Sequence, residues 1–360
     1  MKKRIIFVLS LLVVFLGLFA IYLTFNPDLD RGESAEVETA GGTGQQPEQQ
    51  PVEEKPEIAN TTLRLSFAGD VTMGNYAGSY YAGTFDEMAA SQSDDYFLNN
   101  VKDVFASDDL TIVNLEGPLT DASSHLDKKF AFKGDPSYVN ILKLGNVDLV
   151  SYANNHSEDY YQQGLDDTKA ALDGANIGYF GYETAAIREV KGIKIGFLGY
   201  RSLSLSMNTA EKRPIIQAAI TDLKENQGCN LVVVYYHWGI ESNYDYNSDQ
   251  QTLAHFTVDA GADLVIGSHP HVLQGTEVYN GKLIAYSLGN FCFGGNKNPS
   301  DQDTMIYQVN LDFENGSLTN MTDTIIPCTI SSSSSRNNYQ PTLATGAKKD
   351  AIIAKIKAHS

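Results

Sequence analysis

The stretch Ala262–Gln274, A-D-L-V-I-G-S-H-P-H-V-L-Q, is the one from which the fold is read. Its apolar run Leu264–Ile266 has the length and content of a short buried strand. The run stops at the small corner Gly267-Ser268 and presents His269 and His271. Residues two apart on an extended segment point the same way, and Pro270 between them stiffens the backbone. Two neutral imidazoles at the mouth of a sheet are suited to holding one or two metal ions. A solvated surface turn is the other reading of a single H-x-H, and the rest of the chain has to separate the two.

Upstream, from Thr61, apolar runs alternate with helical patterns, as in an α/β domain. Strands are expected at Leu63–Ala68, Leu110–Val113, Val147–Tyr152, Ile193–Gly199 and Leu231–Tyr236. Between them, helices are expected from Asp94 or Asp95 to about Ala106, and over Pro136–Leu144, Gly164–Gly174, Pro214–Glu225 and Gln250–Ala260. Downstream the character changes to paired strands. Asn280-Gly281 and Asn315-Gly316 are hairpin turn signals, and Met305–Phe313 alternates as a half-buried strand should. The tail from Gly346 has helical composition.

Asp70, Glu116, Asn155 with His156, His237, and the pair His269 and His271 each sit at the end of an apolar strand run. In open α/β sheets ligands bind outside the carboxyl ends of the strands, so a shared edge would bring these side chains together. Four of the seven histidines have this setting, whereas His125, His255 and His359 do not. Two carboxylates, an amide oxygen and up to four imidazoles form a donor set for Mn²⁺, Zn²⁺ or Fe²⁺, as one ion or two. Taken singly, Asp70, Glu116 and Asn155 also read as turn residues, and His156 and His237 as packed core histidines. Arg201, just after a strand, could meet an anionic substrate or close a structural salt bridge.

The chain of 360 residues is not all of globular composition. Lys2, Lys3 and Arg4 precede an almost unbroken apolar segment, Ile5–Phe25, which as a helix would span about 31 Å, close to a bilayer core. A cleaved signal peptide is the competing reading, but no small-x-small pattern follows. The expectation is an uncleaved single-pass anchor over residues 1–25, with the rest of the chain outside the cell. Residues 26–58, rich in Glu, Gln, Gly and Pro, read as a disordered linker with a reach on the order of 30 Å. The main domain is then 59–330, and 331–360 a C-terminal segment. The net charge of −18 argues against a nucleic-acid partner. Cys229, Cys292 and Cys328 are too few and too odd in number for a disulfide framework and read as buried small residues.

The ordered set Gly69-Asp70, N-L-E-G-P-L-T at Asn114–Thr120, N-N-H at Asn154–His156, Y-H-W-G-x-E at Tyr236–Glu241, G-S-H-P-H-V-L-Q at Gly267–Gln274 and S-L-G-N-F at Ser287–Phe291 resembles the CapA/PgsA family. These are bacterial capsule or poly-γ-glutamate biosynthesis proteins with a domain similar to calcineurin-like metallophosphoesterases. The resemblance runs from about Leu63 to about Thr329. It implies a four-layer α/β sandwich with a dinuclear metal site between two sheets. Carried over by residue, it implies metal ligands at Asp70, Asn155, His237, His269 and His271, and a catalytic role for His156 at the leaving oxygen. Glu116 falls where that superfamily usually has a bridging aspartate. The superfamily's first block, D-x-H, reads Asp70-Val71-Thr72 here, which leaves one metal short of an imidazole.

The function this resemblance implies is handling of an anionic polymer such as poly-γ-glutamate during synthesis, export or anchoring, through hydrolysis or transfer of an acyl or phosphoryl group. Two alternatives stand beside it. One is a non-catalytic scaffold working with other capsule-synthase subunits at the membrane; the other is a wall-phosphodiester or nucleotide phosphoesterase.

Overall fold

A computed structural model of the chain describes residues 60–79, 82–204 and 206–360. The expected anchor Ile5–Phe25 and the linker 26–58 lie outside the described residues. Among the described residues no helix is long and apolar enough to cross a membrane.

Two sheets carry the fold. The larger runs in the order Thr342–Leu343, Ser317–Thr329, Asp303–Glu314, Thr61–Thr72, Leu110–Leu115, Leu149–Ser151, Gly178–Phe180, with Asn290–Phe293 paired to one end of Thr61–Thr72. The second runs Thr276–Tyr279, Lys282–Ala285, Leu264–Ser268, Leu231–Trp238, Ile193–Ser202, Ala186–Val190. Its central strands pair in parallel and are buried along their whole length. That is why Leu231–Trp238 reads L-V-V-V-Y-Y-H-W with no polar alternation: both faces are covered.

The period of two along each strand sorts the side chains into layers. Phe67, Ile112 and Tyr307 from the larger sheet pack with Phe197, Val233, Tyr235 and Ile266 from the second, forming the core between the sheets. The opposite face of the larger sheet, with Val71, Val113 and Val150, is covered by Phe97, Ile141, Leu142 and Leu172. The opposite face of the second, with Val232, Val234 and Tyr236, is covered by Ile216, Ile220, Leu253 and Val258. The architecture is therefore helix, sheet, sheet, helix. The three cysteines are free and buried. The asparagines of both expected hairpin turns, Asn280 and Asn315, have φ of 49° and are followed by glycines at 74° and 77°, the left-handed pair such tight turns require.

Three local expectations need correction. The strand expected to stop at Ala68 continues to Thr72, because the Asp70 N–H donates to the Gly289 carbonyl (3.0 Å) and Asp70–Thr72 pairs with Asn290–Phe293. Glycine at 69 permits this approach, since a Cβ there would lie 1.9 Å from the Gly289 oxygen. The helix expected from Asp94 or Asp95 to Ala106 is broken into a 3₁₀ turn, Asp94–Tyr96, and a short helix, Lys102–Ala106. The Tyr96 carbonyl, which a continuous helix would use, instead accepts the Gln340 side-chain amide (2.8 Å). A helix that was not expected, Phe85–Ser91, is capped by Thr84 and stacks Phe85 on Phe97 at 4.6 Å.

The C-terminal helix Gly346–Ala358 inserts Ile352 and Ile356 into the core between the sheets. Lys355 fastens it to Asp303 (2.5 Å) and Asp301 (2.9 Å), and Lys348 also pairs with Asp303. Ile352 is fully buried. Ile352→Ala should therefore lower the unfolding free energy by about 2–4 kcal/mol, read from the urea midpoint.

Candidate metal centre

Both sheets end at the same place. Asp70 and Glu116 approach it from the larger sheet, and His237, His269 and His271 from the second. Asn155 joins them from the loop after Leu149–Ser151. The expectation that His269 and His271 share an extended segment is corrected here. Their φ values are +100° and +59°, so H-P-H is a tight turn rather than the end of a strand. The turn, not strand alternation, brings both rings to the cluster, with centroids 5.9 Å apart.

Asp70 is fully buried; its Oδ1 accepts Asn114 Nδ2 (2.7 Å) and its Oδ2 lies 3.2 Å from His271 Nδ1. The His271 Nδ1 hydrogen bond itself goes to Asn290 Oδ1 at 2.9 Å. Glu116 Oε2 accepts from Thr72 Oγ1 (3.2 Å), while Oε1 faces His237 Nε2 at 3.7 Å and His271 Nε2 at 4.0 Å. His237 Nε2 also lies 2.6 Å from Asn155 Oδ1 and 3.0 Å from His269 Nδ1. Asp70 Oδ2 and Glu116 Oε1 are thus buried with no hydrogen-bond partner.

Leaving such oxygens unsatisfied is costly unless something else meets them. The electrostatics carry the same signature. Burial, then the Asp70 charge, pushes the Glu116 carboxyl up to about 8. Burial drives His237 well below the ordinary imidazole value, and burial with the His271 charge brings His269 down to about 4. Burial alone would lower His271 too, but Glu116 and Asp70 beside it hold it up to about 10. Protein alone therefore compensates two buried carboxylates by keeping a proton on one and a cation on a nearby ring. Neutral imidazoles, carboxylates and an amide oxygen converging in this way fit a divalent cation of the Mn²⁺, Zn²⁺ or Fe²⁺ type. The ligand atoms of Asp70, Glu116 and His271 lie within 4.8 Å of one another, as do those of Glu241, His269 and His271.

His156 stands at the rim of this cluster, lining one cavity together with His271. Its Nδ1 bonds Asp159 Oδ2 at 2.8 Å, which turns Nε2 away from the carboxylate. Asp159 is fully buried, accepts the Phe132 N–H (2.7 Å), and pairs with Lys128. Arg201 is not drawn into the cluster: its guanidinium is partly exposed and lies 3.6 Å from Glu158. Thr72, at the position where the resemblance implies an imidazole, hydrogen-bonds Glu116, and the three other histidines make contacts elsewhere. His125 contacts the Leu126 carbonyl, His255 pairs with Glu277 and His359 with Asp245.

Asn114, Asp159, Glu241 and Asn290 belong to the site and were not among the expected site residues, although Asn114, Glu241 and Asn290 fall within the motifs quoted above. Position gave a further signal for two of them. Asn114 stands two residues before Glu116 near the end of one strand, and Asp159 three residues after His156. Asn290 reaches the cluster only through its pairing with Asp70.

A family model described as bacterial capsule synthesis protein PGA_cap matches residues 64–295. PGA biosynthesis protein CapA of Bacillus subtilis (strain 168) is 33% identical over 254 residues, covering 65% of this chain and 64% of that protein. Capsule biosynthesis protein CapA of Bacillus anthracis is 31% identical over 258 residues, covering 65% and 60%. The chain thus spans a little under two thirds of the length of the curated relatives it matches. Among solved structures, 5′-nucleotidase from Candida albicans SC5314 aligns over 84% of this chain and 58% of its own, with 13% identity and a TM-score of 0.43.

Proposed function

We infer the function of this chain from its family and its site together: it belongs to the bacterial capsule synthesis protein PGA_cap family, and it acts in making, exporting or anchoring a poly-γ-glutamate-type capsule. The observation that carries a chemical role is the pair of buried carboxylate oxygens, on Asp70 and Glu116, that face imidazoles and have no hydrogen-bond partner. In this reading Asp70, Glu116 and His271 on one side, and Asn155, His237 and His269 on the other, hold one or two divalent ions. Such an ion, when bound, supplies Lewis-acid polarisation of an acyl or phosphoryl oxygen. The fold is read as the metallophosphoesterase type, with its domain over 59–330 held outside the cell membrane by Ile5–Phe25.

The chain's own groups do the rest. Asp159 accepts from His156 Nδ1 and burial holds the ring below the ordinary imidazole value, so Nε2 is the basic nitrogen that takes a proton from the attacking water and hands it to the departing group. Thr72, Asn114, Ser268 and Asn290 fix the rotamers of the carboxylates and imidazoles by hydrogen bonds. Arg201, outside the cluster, meets carboxylates of an arriving polymer. One observation favours a second reading, a scaffold subunit of a membrane capsule-synthase complex: Thr72 stands where the resemblance calls for an imidazole.

Expression in a poly-γ-glutamate-forming Bacillus that lacks its own CapA tests both. The chain should restore cell-associated polymer, and His237→Ala, accumulated to the same level, should not. Restoration by His237→Ala would leave only the scaffold reading.

A further inference from the structure

A cavity of about 220 Å³ opens beside the cluster, lined by His156 and His271. Two loops far apart in the chain border it. Loop 239–247 contributes Glu241 and Ser242, and loop 294–302 contributes Ser300 and Asp301. The Glu241 carboxylate lies within 4.8 Å of ring nitrogens of His269 and His271. Its neighbour Ser242 ties this loop to the H-P-H turn, donating its N–H to the Pro270 carbonyl at 2.8 Å. Both loops also meet the helix Gly346–Ala358, at one atom. Lys355 Nζ donates to Asp301 (2.9 Å) and Asp303 (2.5 Å) and lies 5.6 Å from the centre of the Tyr244 ring. Asp301 and the Tyr244 hydroxyl also interact, so the two loops meet around this ammonium. One turn further on, His359 Nδ1 bonds Asp245 Oδ1 at 2.6 Å, and the His359 ring stacks on Tyr244 with centroids 5.7 Å apart.

The helix is a fixed post, because Ile352 and Ile356 lock it into the core between the sheets. The Asp301 and Asp303 side chains are only 9% and 6% exposed, so their bond to Lys355 is not a screened surface pair. An ammonium taken out of water needs partners for its donors, and two carboxylates and an aromatic face supply them here. Among the described residues none of this helix lines the cavity, so its effect on the site passes through the two loops. We propose that Lys355 is a positioning residue of the site. Through Asp301 and Tyr244 it holds both cavity loops to the helix, and so keeps Glu241 where it joins His269 and His271 as a donor to a cation. His359 adds to the hold on loop 239–247 through Tyr244 and Asp245. The role of Glu241 rests on the reading that the carboxylate–imidazole cluster holds metal.

Hydrogen exchange of the full chain, read by mass spectrometry without metal, tests the hold on the loops. In Lys355→Met, peptides covering 239–247 and 294–302 should exchange about tenfold faster than in wild type. In His359→Ala only those covering 239–247 should speed up, and in Lys355→Arg, which keeps the cation, neither should. Lys355→Met also lowers the melting temperature, because it leaves two buried carboxylates without their partner. Ile141→Ala, which empties a fully buried position on the far face of the larger sheet, lowers it too but should leave both loops as in wild type. Calorimetric titration with Mn²⁺ then reads Glu241. The ion that Glu241→Gln weakens should bind about tenfold less tightly in Lys355→Met. Loops that exchange at the wild-type rate in Lys355→Met, loops loosened equally by Ile141→Ala, or Mn²⁺ binding that either Glu241→Gln or Lys355→Met leaves unchanged would overturn the proposal. Wild-type chain that binds no Mn²⁺ refutes the reading of the cluster, and the exchange rates then decide whether Lys355 holds the loops.

Discussion

In the metal-free protein, Glu116→Gln is expected to raise stability, by an amount that grows as the pH is raised from about 5 to about 8. The folded chain holds the Glu116 carboxyl up to about 8, against an ordinary value of 4.5, because the group is buried and Asp70 lies beside it. Across that window the folded state keeps a proton that the unfolded state has released, so wild-type stability falls with rising pH. Glutamine does not titrate and keeps an oxygen for Thr72 Oγ1. The gain should be below about 1 kcal/mol at pH 5 and roughly 2–4 kcal/mol at pH 8 and above. Adding Mn²⁺ or Zn²⁺ should reverse the order, because an ion that binds only the folded wild type stabilises it by mass action. Urea unfolding at several pH values, with chelator and then with metal, checks both halves. A difference independent of pH and metal would mean that Glu116 is a structural residue.

His156→Ala is the other large expected effect. Polymer output in the complemented strain should fall by about 10²–10⁴-fold, the usual worth of a positioned proton donor. Metal content should not change, because His156 stands at the rim and the Asp70–Glu116–His271 group does not include it. Folding should also survive, since Asp159 keeps Lys128 and the Phe132 N–H as partners. Unchanged output with metal retained would assign the domain to scaffolding.

The features legible in the sequence are those governed by local rules. Buried parallel strands announce themselves as continuous apolar runs, so Leu231–Trp238 and Leu264–Ser268 could be found. A side chain at the carboxyl end of such a strand has few places to go. That is why Asp70, Glu116, Asn155, His237, His269 and His271 could be grouped before any coordinate was known. What depended on distant partners could not be read. Gln340 takes the carbonyl that would have continued the Asp94–Ala106 helix, and no window around Tyr96 contains it. Strand Asn290–Phe293 exists because Asp70–Thr72, far back in the chain, pairs with it, and that pairing sets Asn290 beside His271. The H-P-H geometry was a third kind of miss: positive φ at both histidines comes from the turn that leaves Ser268, and strand alternation says nothing about it. Glycine at 267, in the strand that leads into this turn, is required by close approach, since a Cβ there would lie 2.1 Å from the Tyr286 oxygen and 2.4 Å from Trp238 Nε1.

The central claim is that buried carboxylates and neutral imidazoles converge here to hold metal. Elemental analysis of the full chain, purified under metal-replete conditions, tests it most directly beside the double variant His269→Ala/His271→Ala. The claim predicts about one or two divalent ions per wild-type chain and at most about a tenth of that in the variant, which loses two of the donors. Wild-type protein that is folded and metal-free under those conditions, or a variant that keeps the full complement, would contradict it.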